Sequence, residues 1–258
     1  MTFEDLMGSN AAGPNDLIQR LYKKNRENFE ELIAQIKKGS VVPLLGAGFS
    51  ATVYPSWSKL LIEMAQPFPN CKREVEESVE SGSFERAASL LCEEMGEFEF
   101  LRKLHGTFGR HTLSQAMERI SSERKTIPQI FTGPLMTTNV DQMIEEIYAR
   151  NLPVLCPHTT YQQPQAERAL QRSTPILFKL HGDIEDREHV VFTQEQYDEV
   201  YGRGTEDTPL VQTMKQIFSG KTVLFLGCSL ASDRVLDVLK RCCANHAYCQ
   251  RGMTIGQK

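Results

Sequence analysis

Residues 41–50, V-V-P-L-L-G-A-G-F-S, run apolar for five positions and then break into glycines. Five apolar residues with no polar alternation fit a strand covered on both faces, as in a parallel sheet. Gly46 and Gly48 then mark a loop. Lacking a Cβ, they allow positive φ and let the backbone approach a ligand closely, with its N–H groups aimed at anionic oxygens. Gly46, Gly48 and Ala51 also match the spacing G-x-G-x-x-G/A of a dinucleotide-binding turn. A plain glycine turn at a strand end meets the same spacing. The choice between them depends on how the later strands end.

Four later stretches read as strands: G-P-L-M-T-T-N-V-D (133–141), P-I-L-F-K-L-H-G-D (175–183), V-V-F-T (190–193) and K-T-V-L-F-L-G-C-S (221–229). Helical patterns separate them, including Q-M-I-E-E-I-Y after Asp141 and a helix around 235–239. This alternation predicts an α/β fold, a Rossmann-like parallel sheet with helices on both faces. In such sheets ligands bind beyond the carboxyl ends of the strands. Ser50, Thr138, Asn139, Asp141, His181, Asp183 and Ser229 all fall at or just past such ends.

The remaining segments are helical or terminal. Residues 1–14 are polar and punctuated by glycine and proline, which predicts a frayed arm, and the next helix carries Phe29, Leu32, Ile33 and Ile36 on one stripe before Gly39. Ser56 or Ser58 caps a helix with Leu60, Leu61 and Met64, and Trp57 sits at its mouth. Residues 70–128 repeat helical stripes, first Phe84, Ala87, Ala88 and Leu91, then Leu101, Leu104 and Phe108. The expected organisation is an arm and helix over 1–39 and one nucleotide-binding domain over 40–258, with a helical insertion at about 60–130 that covers the sheet.

Composition narrows the function. A net charge of −4 without a dense Lys/Arg block argues against a nucleic-acid partner. The seven cysteines are odd in number and follow no paired framework, as expected of reduced thiols. The amino terminus carries acids where a signal peptide needs bases, and no segment has the length and hydropathy of a membrane span, so a cytoplasmic protein with no membrane partner is expected. His105 and His111 have no Cys or carboxylate at ligand spacing. Cys242, Cys243, His246 and Cys249 crowd one short segment, whereas zinc sites take two separated pairs, so no metal is expected.

The motifs G-A-G-F-S (46–50), T-T-N-V-D (137–141), K-L-H-G (179–182) and G-C-S (227–229), in this order, resemble the sirtuin-like NAD-binding fold. The resemblance implies that Gly46, Ala47, Gly48 and Ser50 hold the phosphates of NAD, with Gly227 and Ser229 opposite. Asn139, Asp141 and His181 would surround the nicotinamide ribose. Phe49, Trp57, Thr138 and Cys228 lie within or beside these motifs and complete the implied binding set. The departures matter as well. No C-x-x-C pair is present, so the zinc module of the protein deacylases is not expected. After the glycine loop, Pro55, Ser56, Trp57 and Ser58 stand where sirtuins carry Pro-Asp-Phe-Arg, and the arginine is lost. This pattern resembles the zinc-less branch, whose members are often NAD-hydrolysing effectors of bacterial antiphage systems.

The chemistry agrees with hydrolysis. The nicotinamide of NAD leaves from an already cationic pyridinium, so no general acid is needed. The barrier asks for stabilisation of an oxocarbenium-like ribose and a placed nucleophile. Asp141 suits the first task and the Asn139 amide suits orienting a water. His181, with an ordinary pKa of about 6.5, suits a base. The structural alternative is that Asn139 caps a helix, Asp141 supports its first turn and His181 satisfies a buried backbone group. The sequence therefore points first to an NAD glycohydrolase that uses NAD as substrate, a regulated NAD-depleting effector acting as a homo-oligomer. A sensor or regulatory domain is expected beyond residue 258. A catalytically inactive NAD or ADP-ribose binding module stands second. An NAD-dependent deacylase or ADP-ribosyltransferase stands third.

Overall fold

The structure, a computed structural model, describes residues 14–150, 156–159, 175–204, 207–230 and 234–244. These separate into two compact units, 14–40 and 41–244. The polar arm expected over the first residues lies outside the described part. In the first unit, α1 (Pro14–Lys37) ends where Gly39 takes a φ of 67°. The Gly39 amide donates to the Ile36 carbonyl at 2.9 Å and the Ser40 amide to Gln35 at 3.1 Å, closing the last turn as a left-handed glycine does.

The second unit is built on five parallel strands: β1 (Val41–Leu45), β2 (Leu135–Thr137), β3 (Cys156–Thr159), β4 (Ile176–Lys179) and β5 (Thr222–Leu226). Their order across the sheet is β3-β4-β2-β1-β5. The most apolar run, β1, is buried throughout, as its sequence requires. The chain leaves β1 for β2 on one side and returns as β5 on the other. That reversal beside β1 is where doubly wound sheets open their ligand crevice.

Between β1 and β2 comes the helical insertion. It comprises α2 (Ala47–Ser50), α3 (Trp57–Ala65), α4 (Pro69–Glu80), α5 (Phe84–Met95), α6 (Glu97–Phe108), α7 (Leu113–Arg119), α8 (Ser122–Lys125) and α9 (Ile127–Ile130). Ser56 is the cap of α3, its side chain accepting from the Lys59 amide at 3.2 Å. The stripes become a core of their own in which Ala87, Ala88, Leu91 and Leu104 are fully buried. The later helices are α10 (Met143–Ala149), α11 (Gln194–Tyr201), α12 (Pro209–Gly220) and α13 (Arg234–Ala244). One sheet face, through Val42, Leu44, Met136, Ile176 and Phe178, packs with Tyr201, Val211, Met214, Ile217 and Val238 from α11, α12 and α13.

Two strand expectations are corrected. V-V-F-T at 190–193 is not a strand. It is an extended lead-in to α11 whose side chains plug two cores in alternation, Val190 and Phe192 into the insertion core and Val191 into the sheet core. Its apolar character comes from that double burial, and Thr193 then caps α11 in a reciprocal capping box with Gln196. Conversely, C-P-H-T at 156–159 is a strand, β3, that the sequence did not announce. At a sheet edge a proline's missing N–H faces outward and leaves the ladder intact.

Candidate active site

The ladder register brings the strand ends into one row. Leu45 pairs with Thr137 on one side and Leu226 on the other, and Thr137 pairs with Lys179. The residues that follow, Gly46, Thr138, Leu180 and Gly227, therefore emerge side by side at the carboxyl edge. There the β1 and β5 loops touch. The Gly46 amide donates to the Leu226 carbonyl at 2.9 Å and the Gly48 amide to the Gly227 carbonyl at 2.8 Å. A Cβ on Gly46 would stand 2.7 Å from Cys228 Sγ, and one on Gly48 would stand 2.8 Å from the Gly227 carbonyl oxygen. Gly227 takes a φ of 69°, and its Cβ would meet the Phe49 amide at 2.6 Å. These glycines are required first by loop-on-loop packing. Ala47, Gly48, Gly227 and Ser229 are exposed on the open side of that junction, while Phe49 and Ser50 turn inward and are buried.

Ser50 faces away from the open loop. Its hydroxyl donates to Asp141 Oδ2 at 3.0 Å and accepts from Asn139 Nδ2 at 2.9 Å. Asp141 Oδ1 in turn accepts from the Met143 amide at 2.9 Å, at the start of α10. The Asn139 amide donates to Thr137 Oγ1 at 3.0 Å, whose hydroxyl donates to the Leu45 carbonyl at 2.8 Å. Asn139, Ser50 and Asp141 are all buried. Burial raises the Asp141 carboxyl above its ordinary range, opposed by the Met143 amide, the Lys179 ammonium and the Ser50 hydroxyl. Thr138, half-buried, places its amide 3.3 Å from the Leu45 carbonyl.

His181 lies beside this chain, 8% exposed. Its Nε2 is 2.9 Å from the Tyr201 hydroxyl and its Nδ1 is 3.2 Å from the Tyr197 hydroxyl. Burial pushes the imidazole down to about 4, against a backbone hydrogen bond to Thr138 that favours its protonated form. The ring is therefore neutral at physiological pH, with a much weaker affinity for a proton than the sequence suggested. Gly182 after it has a φ of 78°, and a Cβ there would overlap the His189 carbonyl, so the His-Gly pair is also a backbone requirement.

Four participants escaped the sequence reading. Lys179 is buried beneath the T-T-N-V-D turn, donating to the Asp141 carbonyl at 2.8 Å, Glu145 Oε1 at 2.7 Å and Asp183 Oδ2 at 2.9 Å. Burial disfavours its charge, but Glu145 and Asp183 outweigh that and hold its pKa above the ordinary value. A lysine inside an apolar parallel strand was the signal, since it must find counter-charges. Tyr197 and Tyr201, four apart on α11, carried a weaker signal. Arg124 of α8 carried none. It donates to Thr52 Oγ1 at 2.8 Å and to the Gly48 carbonyl at 3.4 Å, with its guanidinium 6.0 Å from the Phe49 ring centre. Trp57 stacks on Phe192 at 5.1 Å, an apolar contact within the insertion core. Among the described residues no group of three or more His, Cys, Asp or Glu is placed to hold a metal ion. Of the terminal cluster, His246, Cys249 and the Cys243 side chain lie outside the described residues.

Residues 134–255, which include the Asn139–Asp141 turn, His181 and the Gly227 loop, match the family model described as SIR2-like domain. This part of the chain is similar to a SIR2-like domain. Two curated proteins are similar over most of this chain. The NAD(+) hydrolase ThsA of Enterococcus faecium is 26% identical over 215 residues, 79% of this chain and 40% of that protein. The NAD(+) hydrolase ThsA of Bacillus cereus (strain MSX-D12) is 20% identical over 215 residues, 82% of this chain and 42% of that protein. The chain thus spans about two fifths of the length of these relatives. The glycine loop at 46–50 precedes the residues matched to the SIR2-like domain but joins them in space through Gly227. Among the described residues, no helix is long and apolar enough to cross a membrane.

Proposed function

We propose that this SIR2-like chain hydrolyses NAD. The bond between ribose C1′ and the nicotinamide nitrogen breaks, its electron pair neutralises the pyridinium, and water oxygen bonds to C1′ with loss of a proton. The products are nicotinamide and ADP-ribose. The observation that carries this reading is the buried chain Asn139–Ser50–Asp141, set at the carboxyl edge of the sheet beside the glycine junction. With its Nδ2 held by Ser50, Asn139 keeps its carbonyl oxygen to orient a water. Asp141 supplies negative charge where the oxocarbenium develops. The exposed loop backbone around Ala47 and Gly227 takes the diphosphate, the Gly48 amide being held by the Gly227 carbonyl, and Arg124 adds a positive charge beside it. The similarity to two proteins named as NAD(+) hydrolases supports the same chemistry.

As the resemblance implies, the chain is the catalytic part of a cytoplasmic, NAD-depleting effector of antiphage or immune kind, active as a homo-oligomer and governed by a regulatory domain or partner. Incubating the purified chain with NAD and separating nicotinamide and ADP-ribose by chromatography tests the reaction. Asn139→Ala is expected to lower turnover by roughly a hundredfold or more while NAD still binds. Saturable binding without turnover in the parent chain would instead leave an inactive binding module.

A further inference from the structure

Among the described residues, Lys179 is the one buried lysine or arginine. Its side chain is fully shielded from solvent at the end of β4, a strand otherwise made of Ile176, Leu177 and Phe178. An apolar side chain would fill that place without taking a charge out of water, and buried ion clusters replaced by apolar groups are often no less stable. Packing alone therefore does not ask for a lysine here.

The contacts of the ammonium supply a reason. Lys179 pairs with Thr137 across the ladder, next to the turn that leaves β2. An ammonium has three N–H donors. They match the Asp141 carbonyl at 2.8 Å, Glu145 Oε1 of α10 at 2.7 Å and Asp183 Oδ2 at 2.9 Å, with the Val140 carbonyl farther off at 3.3 Å. Asp183 is fixed in turn by the Glu185 amide, which donates to Oδ1 at 2.9 Å, and the Glu185 carboxylate meets His105 of α6 at 3.3 Å. Two carboxylates from separate elements thus anchor one cation beneath the Asn139–Asp141 turn. The groups facing the Asp141 carboxyl are the Met143 amide, the Lys179 ammonium, the Ser50 hydroxyl, the Asp183 carboxylate and, from the segment after α2, the Tyr54 phenol. Lys179 is the one cation among them. Burial favours the neutral acid and Asp183 adds to that, while the amide, the ammonium and the hydroxyl oppose it.

We propose that Lys179 is a positioning residue of the site: its ammonium holds the Asn139–Asp141 turn by its backbone and supplies the positive field that keeps the Asp141 carboxylate charged at neutral pH. Glu145 and Asp183 keep the ammonium in place. The effect on turnover rests on the proposed function, in which Asp141 acts through its negative charge. The ionisation of Asp141 does not.

The test is carbon and nitrogen NMR of the full chain over a pH series, with Asp141→Asn assigning the Asp141 carboxyl, alongside NAD turnover over the same series. In the parent, Asp141 is expected to be a carboxylate at pH 7. Lys179→Met should raise the pH at which Asp141 takes up its proton by about one unit or more, because the charged form loses its cation. The acid limb of kcat should climb with it, and the backbone amide signals of Asn139 and Asp141 should move. Lys179→Arg keeps a charge without the three-way fit of the ammonium, and should return both midpoints to within about half a unit of the parent while kcat stays below it. An Asp141 that is protonated at pH 7 in the parent, or that titrates in Lys179→Met as in the parent, would overturn the field. Midpoints of Lys179→Arg that stay with those of Lys179→Met would do the same. Unmoved Asn139 and Asp141 amides in Lys179→Met would overturn the hold on the turn. If Lys179→Met does not fold, the parent and Lys179→Arg decide: Asp141 charged at pH 7 in both supports the proposal, and protonated in either overturns it. If the chain turns over no NAD, the proposed function fails, and the carboxyl titration alone decides the role of Lys179.

Discussion

His181 shows how far burial moves a side chain from its free behaviour. Its imidazole takes up a proton near 6.5 in the unfolded chain and only near 4 in the folded one. Between those values the unfolded state binds more protons, so stability falls as pH falls from about 6.5 to 4, and this group has no effect above that window. The gap is worth at most roughly 3 kcal/mol. Denaturant unfolding of the parent and of His181→Asn at a series of pH values checks this, since the variant should lose that part of the acid slope. Equal slopes would mean that the ring is not buried neutral. Because the ring stays neutral down to about 4, His181 also should not set an acid limb in turnover between pH 6 and 8.

The glycine junction belongs to two loops rather than to one motif. The Gly48 Cβ position meets the Gly227 carbonyl with no ligand in place, so Gly48→Val would disturb β1 against β5 before it disturbed a phosphate. A sharper comparison is Gly227→Ala against Gly220→Ala. Gly227 needs positive φ and has the Phe49 amide 2.6 Å from its Cβ position, whereas the end of α12 offers Gly220 open space. Gly227→Ala should destabilise by roughly 1–3 kcal/mol. Gly220→Ala should be neutral or stabilising by up to about 1 kcal/mol. Urea midpoints for the two proteins measure the difference, and similar values would dissolve the junction as a constraint.

Across the second unit, Arg234 ties three helices together. From α13 it donates to Glu85 Oε2 of the insertion at 2.6 Å and to Asp198 Oδ1 of α11 at 2.9 Å. Its hydrogen bonds to Glu85, together with Asp198, hold its pKa above the ordinary arginine value despite partial burial. Arg234→Gln leaves half-buried Glu85 without this cation and Asp198 with the more distant Arg203 Nε at 3.7 Å, and should lower stability by roughly 1–3 kcal/mol. A thermal melt reads that loss. Because α11 also carries Tyr197 and Tyr201, the same variant should loosen His181, and unchanged melting would place the clamp elsewhere.

The four motifs, the parallel alternation and the helical insertion were legible along the chain because each is a local signal, a period of 3.6, an apolar run or a glycine spacing. Local patterns fail where two long-range demands share one segment. Residues 190–193 look like a strand because they plug two cores, and β3 does not because an edge strand tolerates Pro157. Ser50, Asn139, Asp141 and His181 could be picked out at strand ends, but how they connect could not. Ser50 meets partners 89 and 91 positions away, and its hydroxyl turns inward to them rather than out to the loop mouth. The tyrosines that meet both nitrogens of His181 stand one helical turn apart, but that spacing does not say which side chain they meet. A buried polar group must be paired, and only the fold decides which distant side chain comes within 3 Å to pair it.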